Sequence, residues 1–304
     1  MSHHRKRLIR RLIPLLFRET GFLQQCQGKT IKKIKLRKGM VGMMITSKTN
    51  PKIKQVMQWQ TKAKERRSAG IFLVEGFKMY EEAPEEDIRE VYVSESAVQR
   101  AGKQPEVWDK LCRTGYETVS EDVFCRMSDT QAPQGILCVV KRPEYSLDQL
   151  LEESTPLLMV LENLQDPGNL GTIIRTGEGA GITGVIVNRG TVDVYNPKTI
   201  RATMGSVYRV PFVCEEDLRE TVKRLRGSGI RTYAAHLAGK KYYDELSYRE
   251  GTAFLIGNEG NGLSEELSEL ADDFLKIPMK GQVESLNASV AAALLMYEAC
   301  RQRK

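Results

Sequence analysis

The second half of the chain contains three apolar segments that each run into a turn rich in glycine, asparagine or proline and then into a helical pattern. These segments span residues 161–176, 254–263 and 277–290. Repeated strand–turn–helix units predict the α/β class, with a mostly parallel sheet and helices on both faces. In such a sheet, ligands bind at the carboxyl ends of the strands. The three turns are therefore the first candidates for a functional site.

Six strands and a last helix are predicted in this region. The strands are expected at residues 157–161, 184–188, 209–213, 231–235, 253–256 and 274–277. The last helix is expected to run from Leu286 to about Gln302, with Ser285 as its N-cap. This helix carries an apolar stripe, which predicts core packing or a dimer interface and consists of Leu286, Val290, Ala293, Leu294 and Tyr297.

The distribution of charge separates the first 43 residues from the rest of the chain. Residues 1–43 carry 12 Lys and Arg and one acidic residue, whereas the remainder holds 34 basic and 38 acidic residues. Such a segment is typical of a nucleic-acid arm, a targeting peptide, or a translated upstream region before a true start at Met43 or Met44. The rest is expected to form a small α/β domain over 44–142, a linker over 143–156 and a larger domain over 157–304.

Composition argues against several other classes of protein. No apolar run is long enough to cross a bilayer, so we predict no association with a membrane. The six cysteines contain no Cys-x-x-Cys pair and have no ligand-like spacing with the three histidines. We therefore predict reduced thiols, a cytoplasmic location and no metal site.

Short motifs in the three turns carry a resemblance to a known family. They are Asn169 and Arg175 in the pattern Asn-x-Gly-x-x-x-Arg, Glu259 in a turn with three glycines, and Ser285 with Asn287. In order and residue by residue, they resemble the signature motifs of the SpoU/TrmH family of RNA 2′-O-ribose methyltransferases. The resemblance covers residues 157–301 and implies transfer of a methyl group from S-adenosylmethionine to RNA. It also implies a deep trefoil knot near the carboxyl terminus and a homodimer whose active sites are built across the interface.

The resemblance also assigns roles to individual residues. Arg175 is the implied catalytic residue, Glu259 is implied to be needed for activity, and Asn169, Ser285 and Asn287 are assigned to the substrate and catalytic region. Binding of S-adenosylmethionine is assigned to the backbone of Gly257, Ile277 and Leu286, together with Ile256, Asn258, Gly260 and Met279. Taken alone, the residues also allow simpler interpretations. Arg175 is placed to form a surface pair with Glu178, and Asn169 is a good helix N-cap.

Two other features in this half favour structural interpretations. Residues 177–181 read Gly-Glu-Gly-Ala-Gly, but they follow a helix rather than a strand, so they are better interpreted as a helix terminator than as a dinucleotide-binding loop. His236 stands at a strand end without a partner motif, which indicates a structural residue.

In the small domain, Val74-Glu-Gly76 and Gln134-Gly-Ile136 resemble elements of the substrate-binding domain that precedes the catalytic domain in many of these methyltransferases. That domain is similar to a family of small RNA-binding ribosomal proteins, which implies that it binds the substrate RNA. Candidates for the contact are the basic residues Lys62, Lys64, Arg66 and Arg67. The alternative is a docking or dimerisation domain without RNA contact. By analogy, the two-domain layout favours ribosomal RNA over tRNA as the substrate, and a non-catalytic RNA-binding protein is the remaining alternative.

Overall fold

The computed structural model describes residues 44–304, so the predictions for residues 1–43 lie outside the described residues. Within this range, a four-stranded and a seven-stranded sheet are formed. The strands are β1 Ile71–Glu75, β2 Ile88–Ser94, β3 Glu117–Val119, β4 Ile136–Lys141, β5 Leu157–Leu161, β6 Gly184–Asn188, β7 Phe212–Glu215, β8 Arg231–Ala235, β9 Lys241–Tyr242, β10 Thr252–Ile256 and β11 Asp273–Lys276. The α-helices are α1 Pro51–Thr61, α2 Ala63–Ala69, α3 Phe77–Glu82, α4 Glu95–Ala101, α5 Pro105–Thr114, α6 Glu121–Met127, α7 Leu147–Leu151, α8 Pro167–Ala180, α9 Pro197–Thr203, α10 Leu218–Gly227, α11 Glu265–Ser268 and α12 Ala288–Gln302. None of the described helices combines the length and apolar character needed to span a membrane.

The small sheet has the strand order β1-β4-β2-β3. Strand β4 is antiparallel to both of its neighbours, whereas β2 and β3 are parallel. Alternate residues of the strands point to opposite faces, and both faces are covered by apolar side chains. The helical segment after Asn50 is divided into α1 and α2, because Lys62 adopts an extended backbone (φ −115°, ψ 105°).

The large sheet has the strand order β7-β6-β5-β10-β8-β11-β9, and all neighbouring strands are parallel. The two central strands, β5 and β10, are buried along their whole length. Met159 and Leu161 of β5 pack on the side of α8 and α12, while Leu158 and Val160 pack on the side of α10. This arrangement confirms the predicted α/β fold with helices on both faces. The trefoil knot stays a prediction.

One strand and the start of one helix differ from the predictions by two residues or more, and the strands predicted at 253–256 and 274–277 differ by one residue. The strand expected at residues 209–213 is Phe212–Glu215, because a 3-10 turn at Ser206–Tyr208 and Pro211 occupy the preceding positions. The last helix begins at Ala288 rather than Leu286. Asn287 caps this helix in place of Ser285, since its Oδ1 accepts a hydrogen bond from Ser289 N at 2.9 Å.

The cap predicted for the helix after β5 is also wrong. The N-cap of α8 is Asp166, whose Oδ1 accepts a hydrogen bond from Asn169 N at 2.8 Å, and Pro167 follows at the first helical position. Asn169 is therefore inside the first turn, which leaves its side-chain amide free for other contacts. At the other end, Gly181 terminates α8 in the left-handed conformation, as predicted.

The two sheets share one apolar core on one side. Phe72 of β1 packs on Tyr195 with ring centroids 4.9 Å apart, and both belong to the cluster that also covers β5. Arg66 joins the part of the chain that carries the four-stranded sheet (the small part) to the part that carries the seven-stranded sheet (the large part). It forms an ion pair of 2.6 Å with Asp193 and is only 3% exposed. The prediction that Arg66 contacts RNA is therefore wrong, whereas Lys62, Lys64 and Arg67 are exposed.

Candidate active site

The three predicted turns meet at the carboxyl edge of the large sheet, where β5 and β10 lie side by side. Glu259, from the turn after β10, accepts hydrogen bonds from Asn169 Nδ2 and from the backbone N–H groups of Gln165 and Asp166, each at 3.1 Å. Asn287, from the third segment, donates from Nδ2 to Asn169 Oδ1 at 2.9 Å. The structure thus brings Asn169, Glu259 and Asn287 into one hydrogen-bonded group.

Glu259 is held in this group as a carboxylate. Burial raises its pKa, but hydrogen bonds from the Asn169 side chain and from the backbone of Gln165 and Asp166 outweigh that effect, so the pKa of Glu259 lies below its ordinary value. An ionised carboxylate that accepts three hydrogen bonds from one turn is suited to fixing that turn in place. The geometry of Glu259 is therefore suited to holding the first and second turns together.

The turn after β10 is tight enough to require glycine at position 257. A Cβ atom there would lie 2.0 Å from the carbonyl carbon of Gly262, since Asn258 and Gly262 exchange two backbone hydrogen bonds of 2.9 Å. Asn258 also uses its side chain inside the protein: Oδ1 accepts from Gly260 N at 2.9 Å and Nδ2 donates to Asn163 O at 2.8 Å. The turn therefore presents mainly backbone groups to the space in front of it.

A cavity of about 350 Å³ lies between the turn after β10 and the segment before α12. All seven predicted cofactor-binding residues line it, namely Ile256, Gly257, Asn258, Gly260, Ile277, Met279 and Leu286. Glu259 and Ser285 contribute to the same wall, whereas Asn169, Arg175 and Asn287 are outside the lining. The volume is within the range of pockets that hold small-molecule cofactors.

Arg175 is on the exposed face of α8 and, among residues 44–304, has no hydrogen-bond or ion-pair partner. The predicted pair with Glu178 is wrong, because Glu178 pairs with Arg209 instead. Gly171, four residues before Arg175, serves the packing of two helices. A Cβ atom at Gly171 would lie 2.5 Å from Ala202 Cβ, so this glycine allows α8 to pack closely on α9.

Some residues at the site were missed by the sequence analysis. Ala235, His236 and Leu237, at the end of β8, form a wall of the cavity. The available signal was their position, because a strand end in a parallel sheet faces the same edge as its neighbours. His236 was interpreted as structural, and its Nδ1 does accept a hydrogen bond from Ala238 N at 3.1 Å within its own turn.

A second set of residues that was not predicted from the sequence holds the first turn in place. Asn163 N donates to Asn188 Oδ1 at 3.0 Å, and Asn188 Nδ2 donates back to Asn163 Oδ1 at 2.9 Å. Thr191 Oγ1 donates to the same Asn188 oxygen at 2.8 Å. Asn188 ends β6, next to β5, so these side chains hold the first turn at the sheet edge.

Comparison with known proteins agrees with this fold and site. The SpoU rRNA Methylase family matches residues 156–297, and the MRM3-like substrate binding domain matches residues 50–138. The chain is 36% identical to the 23S rRNA (guanosine(2553)-2′-O)-methyltransferase RlmP of Bacillus subtilis over 83% of this chain and 97% of that protein.

Solved structures give the same result. An AdoMet-bound rRNA methyltransferase from Sinorhizobium meliloti matches with a TM-score of 0.73 and 30% identity, over 85% of this chain and 97% of that one. The SpoU methyltransferase AviRb from Streptomyces viridochromogenes, in complex with AdoMet, matches with a TM-score of 0.73 and 30% identity, over 84% and 98%.

Fold, site and similarity together define an S-adenosylmethionine-dependent RNA 2′-O-ribose methyltransferase. Within that class, the chain belongs to the SpoU rRNA Methylase family. Its cavity fits S-adenosylmethionine in two respects. Gly257 has no side chain, so the cofactor can approach the backbone of the turn closely. Ile277, Met279 and Leu286 offer apolar surface for the adenine ring. Among the described residues, no cluster of three or more His, Cys, Asp or Glu side chains is arranged to hold a metal ion.

Proposed function

We propose that this enzyme methylates the ribose 2′-oxygen of a nucleotide in ribosomal RNA, most specifically in the RNA of the large subunit. The observation that carries the proposal is the hydrogen-bonded group of Asn169, Glu259 and Asn287, which joins three turns beside the cavity. Similarity to RlmP, whose name specifies a guanosine of 23S rRNA, extends over 97% of that protein and supports the substrate. An enzyme with this substrate works where ribosomes are assembled, so we expect a cytoplasmic location.

In this proposal, the cavity holds S-adenosylmethionine through backbone groups near Gly257, Ile277 and Leu286. The bound cofactor supplies a methyl group on a sulfonium, so the protein has to orient and activate a weak nucleophile, the 2′-hydroxyl. Asn287 donates to Asn169 of the turn that Glu259 fixes, and Ser285 lines the cavity, so we assign both to holding the ribose. Glu259 itself keeps the first and second turns together.

We assign the catalytic role to Arg175. Arginine stays protonated in proteins, so its guanidinium is suited to bind a substrate phosphate through two parallel hydrogen bonds and to place the 2′-hydroxyl in line. Its exposure and its lack of a partner among the described residues leave the guanidinium available for this contact. Arg175 is outside the lining of the cavity of its own chain, which supports the proposal that a second protomer completes the site.

We further propose that the enzyme is a homodimer formed through α8 and α12. The stripe predicted on α12 is not core: Val290 is 47% exposed and Tyr297 is 51% exposed, while Leu295 and Met296 are buried. The stripe borders a shallow groove lined by Tyr243, Val290, Ala293, Leu294, Tyr297 and Glu298. Exposed apolar surface of this kind marks an interface.

A second copy of the chain is the proposed occupant of this groove. Gly179 of α8 lies beside Tyr297, since a Cβ on Gly179 would be 2.9 Å from the Tyr297 hydroxyl. The exposed face of α8 that carries Arg175 is therefore continuous with the stripe. A two-fold interface there would bring Arg175 of each protomer towards the cavity of the other.

The substrate is tested by methylation with radiolabelled S-adenosylmethionine of three RNA samples: large-subunit rRNA, small-subunit rRNA and total tRNA. We expect label in the ribose of a large-subunit nucleotide, mapped by resistance of its 3′ phosphodiester to alkaline cleavage. Label in tRNA alone would overturn the ribosomal assignment, and binding of RNA without any label would indicate a non-catalytic protein.

A further inference from the structure

Arg66 occupies a buried position between the small and the large sheet. Its guanidinium donates from Nη1 to the carbonyl oxygens of Trp59 at 2.6 Å and Gln60 at 3.2 Å, and from Nη2 to Asp193 Oδ2 at 2.6 Å. Its Nε is buried without a hydrogen-bond partner in the part of the chain that the structure describes. A buried ion pair of this kind adds little stability compared with apolar residues of similar size. Its presence calls for a reason other than stability.

Asp193 belongs to the loop over residues 189–196, between β6 and α9, that supports the first turn of the active site. Val192 N of this loop donates to Leu164 O at 2.8 Å, and Gly190 O accepts from Gln165 Nε2 at 2.7 Å. Gln165 also contacts the hydrogen-bonded group of Asn169, Glu259 and Asn287 directly, because Gln165 N donates to Glu259 Oε2 at 3.1 Å. Hydrogen bonds joined by short stretches of backbone therefore form a path from Arg66 to Glu259.

Two further ion pairs join the small and the large part, and neither contacts this loop. Arg201 of α9 pairs with Asp129 at 2.8 Å, and both side chains are well exposed, at 37% and 51%. Arg209 pairs with Glu82 at 2.8 Å. Among the ion pairs between the two parts within residues 44–304, Arg66–Asp193 alone is both buried and bonded to the loop under the active site.

We propose that Arg66 and Asp193 form a positioning pair that couples the substrate-binding part of the chain to the active-site turn carried by Gln165. The pair fixes the loop under that turn only when the small part is docked, so RNA held by the small part meets a correctly placed Glu259 group. The inference rests on the proposed function in that the small part is taken to bind RNA. Coupling along such a path is established by measured coupling energies, which defines the test.

The test compares Asp193→Asn, Arg66→Met and the double variant with wild type in full-length protein. The kcat and KM for rRNA are measured, together with the Kd of S-adenosylhomocysteine and the unfolding midpoint. We expect Asp193→Asn to lower kcat by about 2- to 30-fold, with the Kd of the cofactor product changed less than about twofold. The double variant is expected to lose no more than the worse single variant, since both remove one interaction.

Asp129→Asn is the matched control, because it removes the exposed ion pair between the same two parts. An unchanged kcat in folded Asp193→Asn, an equal loss in Asp129→Asn, or additive losses in the double variant would each overturn the proposal. If Arg66→Met does not fold, Arg66→Lys retains the charge and serves in its place, with an intermediate loss of kcat expected. If wild type methylates tRNA rather than rRNA, the substrate assignment fails, and the same comparison of kcat is made on tRNA.

Discussion

At the scale of single residues, the site depends on Asn169, whose side chain both donates and accepts a hydrogen bond. Asn169 donates to Glu259 and accepts from Asn287, so one amide connects three segments that are about 90 and 118 residues apart in the chain. Such a contact needs an amide with the correct orientation rather than a charge. The three motif residues therefore act as a unit, and their individual effects are expected not to add.

Replacement of Arg175 by alanine is expected to lower kcat by ~100-fold or more while the Kd of S-adenosylmethionine is nearly unchanged. The reason is that the guanidinium is exposed, has no partner among the described residues and is outside the cofactor cavity. Loss of stability is expected to be at most ~0.5 kcal/mol. Arg249→Ala, another exposed arginine of the same part, is the control. Wild-type turnover by Arg175→Ala would refute the assigned role.

Glu259→Gln tests the carboxylate and its dependence on pH. The pKa of Glu259 in the folded protein lies below the ordinary value of 4.5. The ionised carboxylate therefore contributes its full stabilisation at pH values above 4.5, and this stabilisation is lost as the pH falls through the folded pKa. Wild type is therefore expected to be more stable than Glu259→Gln at neutral pH, with the difference shrinking in acid. Urea unfolding at neutral pH and about one unit below the ordinary glutamate value measures this change. A difference that grows in acid would contradict the account.

At the scale of helices and strands, the order and type of elements follow from the sequence, whereas several ends do not. Buried strands such as β5 and β10 are apolar throughout and lie between turns, which makes them easy to recognise. The helix caps were assigned incorrectly, because Asp166 and Asn287 compete with other good cap residues nearby. Asn169 and Asn287 also make long-range side-chain contacts with Glu259 and with each other, and the local sequence does not contain that information.

Asn287 has two roles that can be tested separately: it caps α12, and its side-chain amide contacts Asn169 in the site. Asn287→Ser keeps a hydroxyl that can cap α12 but removes the amide that donates to Asn169. We expect Asn287→Ser to retain most of the stability and to lose activity, whereas Asn287→Ala loses activity together with ~1 kcal/mol of stability. Thermal unfolding and initial rates of methylation measure the two effects. Equal activity of Asn287→Ser and wild type would show that the amide is not needed.

The contact between α8 and α9 gives an independent test of packing. Gly171→Ala places a methyl group where Ala202 Cβ and Thr199 O are only 2.5 and 2.6 Å away, so we expect a loss of ~1–3 kcal/mol in the free energy of unfolding. Gly227→Ala, at the end of α10, meets no atom within 4 Å and is expected to be neutral or slightly stabilising. Urea denaturation of both variants provides the comparison. Equal stability of the two would contradict the close packing.

At the scale of the whole molecule, two features were beyond the reach of sequence reasoning. Arg66 was grouped with exposed basic residues, because its partner Asp193 is 127 positions later in the chain. The assembly of the cavity from β8, β10 and the last segment also depends on a strand order that differs from the chain order. The three motifs were nevertheless found from the sequence, since each combines a strand end with turn residues.

The proposed dimer is tested with Tyr297→Glu, which introduces a charge into the exposed stripe on α12. We expect this variant to sediment as a monomer, to bind S-adenosylmethionine and to be inactive, because the partner would no longer supply Arg175. Glu269→Lys, on an exposed residue outside the stripe, is the control. A monomeric variant with full activity would exclude a shared site.

Mixed dimers test the sharing of the site directly. An Arg175→Ala subunit retains its cavity, and a Gly257→Val subunit retains Arg175 but has a side chain in the tight turn of the cavity. If the site is shared, mixing the two inactive proteins is expected to restore part of the activity. Absence of any recovery after confirmed subunit exchange would argue for a site within one protomer.

The position of the last segment of the site has a consequence for the time at which the enzyme becomes active during its synthesis. The strands of the small sheet end at Lys141, whereas Asn287 and the first residues of α12 follow only after all strands of the large sheet. The small part is therefore complete in the nascent polypeptide long before the cofactor cavity exists. A chain that terminates before residue 287 has the elements proposed to hold RNA but lacks those that close the cavity and cap α12. In the proposed account, methyl transfer is therefore confined to chains that were translated through residue 287 and the first residues of α12.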